Sequence, residues 1–179
     1  GIPVVADRPG IGQAFQDHLK LSVRWRGRAT LPGSTVTAGL FTTSRAGLGV
    51  PDLQYYVGRG TEQPDTFVTI TVSLVQPQSH GEIRLRSADP LAPALVRPHY
   101  LQEQADVDAL VAGVRLAREF ASTAAYDALR ADEVDPGANT ASTADLERFV
   151  RRAADTIYHA AGSCRMGPAS DPSAVVGPD

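Results

Sequence analysis

Lysine is almost absent from this sequence. Lys20 is the only one among 17 basic residues, the rest being arginine, which we read as codon bias and not as site chemistry. Cysteine occurs once, at Cys164, so an internal disulfide and an all-cysteine metal site within one chain are both excluded. No apolar run reaches the length of a membrane span. A net charge of −3 and a pI near 5.8 leave no basic excess of the kind a nucleic-acid surface needs. The G-x-S-x-G elbow of a serine hydrolase does not occur. None of the four histidines (His18, His80, His99, His159) forms an H-x-x-x-H or H-x-x-E-H pair, so no metal site is expected.

What remains is the composition of an ordinary globular chain, 42% hydrophobic and 21% charged over 179 residues. Strands come first. "LKLSVRWRG" places Leu21, Val23 and Trp25 on one face. "TAGLFTTS" and "PDLQYYVGR" read as two more strands, and "RATLPGSTVT" before them as loop. "PDTFVTITVSLVQP" alternates Val68, Ile70, Val72 and Leu74 with Thr69, Thr71 and Ser73, the pattern of an antiparallel sheet covered on one side. "GEIRLRS" repeats the alternation, with Ile83 and Leu85 expected inside. The period then changes. From Gln104 to Ser122 a stripe of Val107, Leu110, Val111, Val114 and Ala117 recurs at helical spacing. "TAAYDALRADE" is expected to add a short helix. "STADLERFVRRAAD" opens with Ser142 and Asp145 at capping-box spacing and buries Leu146, Phe149, Val150 and Ala153. Strands followed by helices, without alternation, imply an α+β domain: an antiparallel β-sheet packed by helices.

"PGIGQAF" invites a dinucleotide reading, which fails because Phe15 stands where the third glycine of G-x-G-x-x-G belongs. These glycines are read as turn residues. His18 is read as a hydrogen-bonded structural residue, His80 as an exposed turn residue, and His99 as a surface or packing residue. His159, in "TIYHAAGSCRMGP", differs. It follows Ile157 and Tyr158, so an apolar neighbourhood is expected, and it precedes small residues that let another body approach the backbone. An imidazole in such a place is a candidate general base. A thiol nucleophile from Cys164 with His159 lacks an orienting third group, and Cys164 is expected to be a small buried residue. Arg165 is expected to tie the turn to a carboxylate, and Met166 to pack. Tyr55 and Tyr56 are candidates for a pocket wall or for the core.

"YHAAGSCRMG" resembles the H-x-x-G-T-x-R-M-G signature of the glucose-methanol-choline (GMC) family of flavin oxidoreductases, with a choline-dehydrogenase-like cast. "DRPGIGQAFQDH", "PQSHGEIRLRSADPLAPALVRPHYL" and "DPSAVVGPD" resemble, in order, further segments of that family. Departures are Ala14 for asparagine, Phe15 for leucine, His80 for arginine, Ser163 for threonine and Gly177 for aspartate. The resemblance implies FAD as cofactor, a small-molecule alcohol as substrate, and oxidation to an aldehyde or ketone. It implies that His159 is the active-site histidine, that Ile157 faces the flavin, and that Tyr158 lies beside it. It further implies that residues 1–20 are the end of a connection to an FAD domain. Residues 21–179 would form the substrate-binding domain, with the histidine loop at 156–167. The Rossmann FAD domain and a final segment would lie outside the chain, which begins at Gly1 and ends at Asp179. Two alternatives stay open: a lyase acting on cyanohydrins with the same scaffold and histidine, and a non-catalytic binding module.

Overall fold

The computed structural model describes residues 3–28, 36–62 and 65–178. The expected loop at 28–37 falls mostly outside them. Four long strands, β1 (Leu19–Gly27), β2 (Val36–Thr42), β3 (Leu53–Glu62) and β4 (Asp65–Leu74), build an antiparallel sheet in the order β2-β3-β4-β1. Their register follows from the alternation. Leu19 and Leu53 oppose Leu74, Leu21 and Tyr55 oppose Val72, and Val23 and Val57 oppose Ile70, so apolar rows run across three strands on one face. The other face carries Ser22 and Thr71, whose hydroxyls meet at 2.9 Å, and Arg24, which lies 4.2 Å over the Phe67 ring.

Helix α1 (Gln104–Ala121) covers the apolar face with the expected stripe: Val107, Leu110, Val114 and Ala117 are fully buried. Tyr55, buried in this core, donates to the Gly113 carbonyl at 3.2 Å and meets Phe120 edge-on at 5.5 Å. It is a core residue, not a pocket wall. Half-buried Tyr56 donates to the Gln54 side chain at 2.8 Å. Helix α2 (Thr143–Ala153) packs on α1 through Leu146, Phe149 and Val150. Its Ser142 cap accepts from the Asp145 N–H at 3.1 Å, as the spacing implied. The α+β expectation holds.

Three details differ. "TAAYDALRADE" gives one 3₁₀ turn at Ala124–Tyr126 and then strand β7 (Arg130–Asp135) on the free edge of β1. Four of its six residues are charged, so alternation could not reveal it. Ion pairs Arg118–Glu133 at 2.7 Å and Arg24–Asp135 at 3.5 Å hold it instead. "GEIRLRS" pairs only over Glu82–Arg84 (β5), with Leu95–Arg97 (β6), in a separate two-stranded sheet. Ile83 is half-buried and Leu85 is 87% exposed, because this hairpin packs on the 10–13 segment and not on the main sheet. Finally, β8 (Asp155–Thr156) pairs with Leu19 and Lys20 at the start of β1.

Gly113 sets how closely α1 approaches the sheet: an added Cβ would stand 2.5 Å from Val72 Cγ1. Gly113→Ala gains about 1 kcal/mol of helix propensity but forces overpacking that costs about 1–3 kcal/mol. Branching at Cβ leaves Val72 little room to yield. The expected outcome is a lower thermal midpoint, measurable by circular dichroism.

Candidate active site

Residues 10–18 run between two other segments and bond to both. Phe15 exchanges backbone bonds with Gly81 (3.0 and 2.7 Å), and Gln16 does so with Ala161 (2.9 and 2.8 Å). Gly12 donates to Ser163 at 2.8 Å and accepts from Ile83 at 2.7 Å. The glycines of "PGIG" and "AAGS" exist for these approaches. A Cβ on Gly12 would lie 2.0 Å from the Ile83 carbonyl oxygen, and one on Gly162 2.1 Å from that of Ala14. Both have positive φ, +75° and +86°. Phe15, in place of a third glycine, is buried at 6% exposure.

This stitching brings together Asp17 and His18 with the loop after β8. Asp17 is 6% exposed and both carboxylate oxygens are occupied. Oδ1 accepts from the His159 backbone N–H at 2.9 Å; Oδ2 accepts from the Tyr100 hydroxyl at 2.7 Å and from the Thr156 hydroxyl. Burial raises the carboxyl's pKa, but the bonds from Thr156, Tyr100 and the His159 and His18 backbones outweigh it and hold the carboxyl below its ordinary value. The Tyr100 phenol is pushed up to about 12 by burial and by Asp17. Thr156 Oγ1 also accepts from the Tyr158 N–H at 2.8 Å, and Tyr158 itself sits at φ 64°.

His18 and His159 face each other, Nδ1 to Nδ1 at 3.1 Å, with rings 5.2 Å apart and inclined at 67°. Burial, then the charge of His159, push the His18 pKa below its ordinary value, against a smaller upward pull from Asp17. The pair opens on a cavity of about 350 Å³ whose walls include Gln16, Val75, Gln78 and Ala161.

His159 therefore sits among polar groups and is exposed, contrary to the apolar neighbourhood expected from Ile157 and Tyr158. Ile157 is half-buried, its N–H on the His18 carbonyl at 3.1 Å; the Tyr158 side chain is 84% exposed. The positive φ of Tyr158 turns its side chain outward and leaves the His159 amide aimed at Asp17. His18 is hydrogen-bonded, as read, but its partner is the candidate base itself. His80 and His99 are exposed; His80 Nε2 lies 3.3 Å from Gln16 Nε2. Cys164 is exposed, not buried, and Met166 is 60% exposed, because the 163–167 stretch lies on the surface, held by backbone bonds to Val175 and Val176. Arg165 ties its turn to Asp171 at 2.5 Å, as expected. Asp17, Tyr100 and Thr156 were missed by sequence reading. The signal was there in "DH" and "PHY", but nothing local links positions 17, 100 and 156. Among the described residues no three His, Cys, Asp or Glu side chains gather to hold a metal ion, and no helix is long and apolar enough to cross a membrane.

The GMC oxidoreductase family profile matches residues 77–179, more than half of the chain, and the chain belongs to that family. The oxygen-dependent choline dehydrogenase of Brucella ovis is 32% identical over 213 aligned positions, taking in 100% of this chain and 39% of that protein. The mitochondrial choline dehydrogenase of Mus musculus is 32% identical, over 98% of this chain and 35% of that protein. Among solved structures, pyridoxine 4-oxidase from Mesorbium loti superposes with a TM-score of 0.84 at 23% identity, over 99% of this chain and 37% of its own, a likeness of fold. The chain spans well under half the length of the curated relatives it matches.

Two outcomes are expected of the Asp17 cluster. Asp17 ionises more readily folded than unfolded, so its stabilisation is present above pH 3.8 and is lost as pH falls through its depressed folded value. Acid unfolding of Asp17→Asn should lack that part of the pH dependence. Tyr100 behaves oppositely: its contribution is present below pH 10 and fades as pH rises toward about 12. In an absorbance titration of the five tyrosines, Tyr100→Phe should remove a late-ionising phenol and cost about 1–3 kcal/mol in denaturant melts.

Proposed function

We propose that this chain is the substrate-binding part of an FAD-dependent oxidoreductase that oxidises an alcohol to an aldehyde or ketone. The observation that carries the reading is the imidazole pair: an exposed base held at its backbone by a buried carboxylate and opening on a cavity. The residues fit one side of a flavin. Exposed Tyr158 and half-buried Ile157 offer apolar surface to a flat ring, and the exposed Ala160 and Ala161 add little bulk beside them. No G-x-G-x-x-G occurs in the sequence to cradle a diphosphate, so that part of the cofactor falls to residues outside this chain. Bound flavin supplies the acceptor for the hydride leaving the carbinol carbon.

In this reading His159 takes the hydroxyl proton at its free Nε2, so that the alkoxide's electrons can form the carbonyl. Ile157 and Tyr158 keep water from the reacting carbon, which strengthens the local electrostatics. Residues 1–20 would continue into the FAD-binding half that the chain needs as its partner, and residues 21–179 would form the domain over the substrate. The choline dehydrogenases it resembles act on choline by name; here the alcohol is stated only as a class.

In the full-length enzyme, His159→Ala should lower the rate of anaerobic flavin bleaching by an alcohol about 10²–10⁴-fold with the flavin still bound. An unchanged rate would sink the assignment. The 179-residue chain alone should be colourless, whereas a version extended into the FAD domain should be yellow; tightly bound flavin on the short chain would contradict this division of labour.

A further inference from the structure

We propose that the dipeptide Asp17-His18 is the positioning element of His159: the Asp17 carboxylate fixes its main chain, and the His18 ring fixes which of its nitrogens is bare. The inference rests on the base role of His159 argued above, but the hydrogen bond it names exists or fails independently of activity.

Two Nδ1 atoms at 3.1 Å can be bridged by one proton only. Either His18 holds Nδ1–H and His159 must then carry its proton on Nε2, which makes it an acid, or His159 holds Nδ1–H and donates it to His18. Only the second arrangement leaves His159 Nε2 bare toward the cavity and able to receive a proton. After it receives one, the imidazolium keeps its Nδ1–H on a neutral His18, which spreads the new charge. Protonating both rings would set two N–H groups head to head, so the pair holds one positive charge at most near neutrality.

The surroundings favour His18 as the neutral member. Its partial burial and the adjacent His159 charge oppose its protonation, and the Asp17 charge only partly offsets them. Among the described residues, the other polar side chains on the cavity wall are the neutral amides of Gln16, Gln76 and Gln78, and Asp17 is the only carboxylate there. Both of its oxygens are committed: Oδ1 to the His159 amide, Oδ2 to Tyr100 and Thr156. Asp17 thus acts on the His159 backbone, and the ring contact is left to His18.

The chain has four histidines, so each ring can be followed by long-range proton–nitrogen NMR on histidine-labelled protein. Above the titration range, the expected spectrum shows His159 as the Nδ1–H tautomer and His18 as the Nε2–H tautomer. In His18→Ala, His159 should lose that preference and bind its proton at lower pH, while His80 and His99 stay in place as a check on folding. A wild-type His159 protonated on Nε2 when neutral overturns the proposal without any variant. So does a His159 titration that His18→Ala leaves unmoved. In the full-length enzyme, His18→Ala should lower kcat/KM on the order of tenfold and move the acid limb of its pH profile down. If instead His159→Ala leaves that enzyme active while the tautomers are as stated, the base reading fails and the ring pairing stands.

Discussion

A carboxylate cannot stay charged inside a protein unless donors replace the water it has lost. Asp17, on one segment, satisfies that constraint with the Tyr100 hydroxyl from a second and with Thr156 and His159 from a third. The three segments must therefore meet for Asp17 to be buried, and their meeting creates the site. Left-handed backbone at His99, Leu101 and Tyr158, with φ of 51°, 57° and 64°, flanks these donors. Such conformations in non-glycine residues persist only where the surroundings over-determine them. The buried charge and its bonds supply that determination.

The rest of the fold serves this junction by separating two faces of one sheet. Apolar rows from β1, β3 and β4 are sealed by α1, and α2 packs against both α1 and β1. β1 begins one residue after His18, so the position of the histidine pair is tied to a strand whose Leu19, Leu21, Val23 and Trp25 are buried in the core. β8 and β7 share the outer edge of β1, one at each end. The loop carrying His159 leaves directly from β8. Its reach is set by two residues of pairing, followed by the Thr156 and Asp17 bonds.

Much of this was legible in sequence, and the unread parts have a common cause. Alternation in 68–74 and the stripe from Val107 to Ala117 are self-contained signals, and the structure follows them. β7 is polar because it hangs on the edge of β1 by ion pairs, so no hydrophobic period marks it. Leu85 alternates correctly yet is exposed, because the hairpin carrying it packs on the 10–13 segment and not on the core. His159 was legible through its motif. Its environment was not, because Ile157 and Tyr158 are neighbours in sequence while Asp17 and His18 are neighbours in space. Tyr100 and Thr156 acquire meaning only once Asp17 is seen to be buried.

The direct test of the Asp17 clamp is amide hydrogen exchange at His159, a residue that is otherwise solvent-exposed. The account expects its N–H to be protected in the chain as it stands. In Asp17→Ala that protection should vanish, while the amide of Ile70, at the centre of β4, keeps its own. A His159 amide that exchanges at the same rate with and without the carboxylate, in a protein whose Ile70 remains protected, would contradict it.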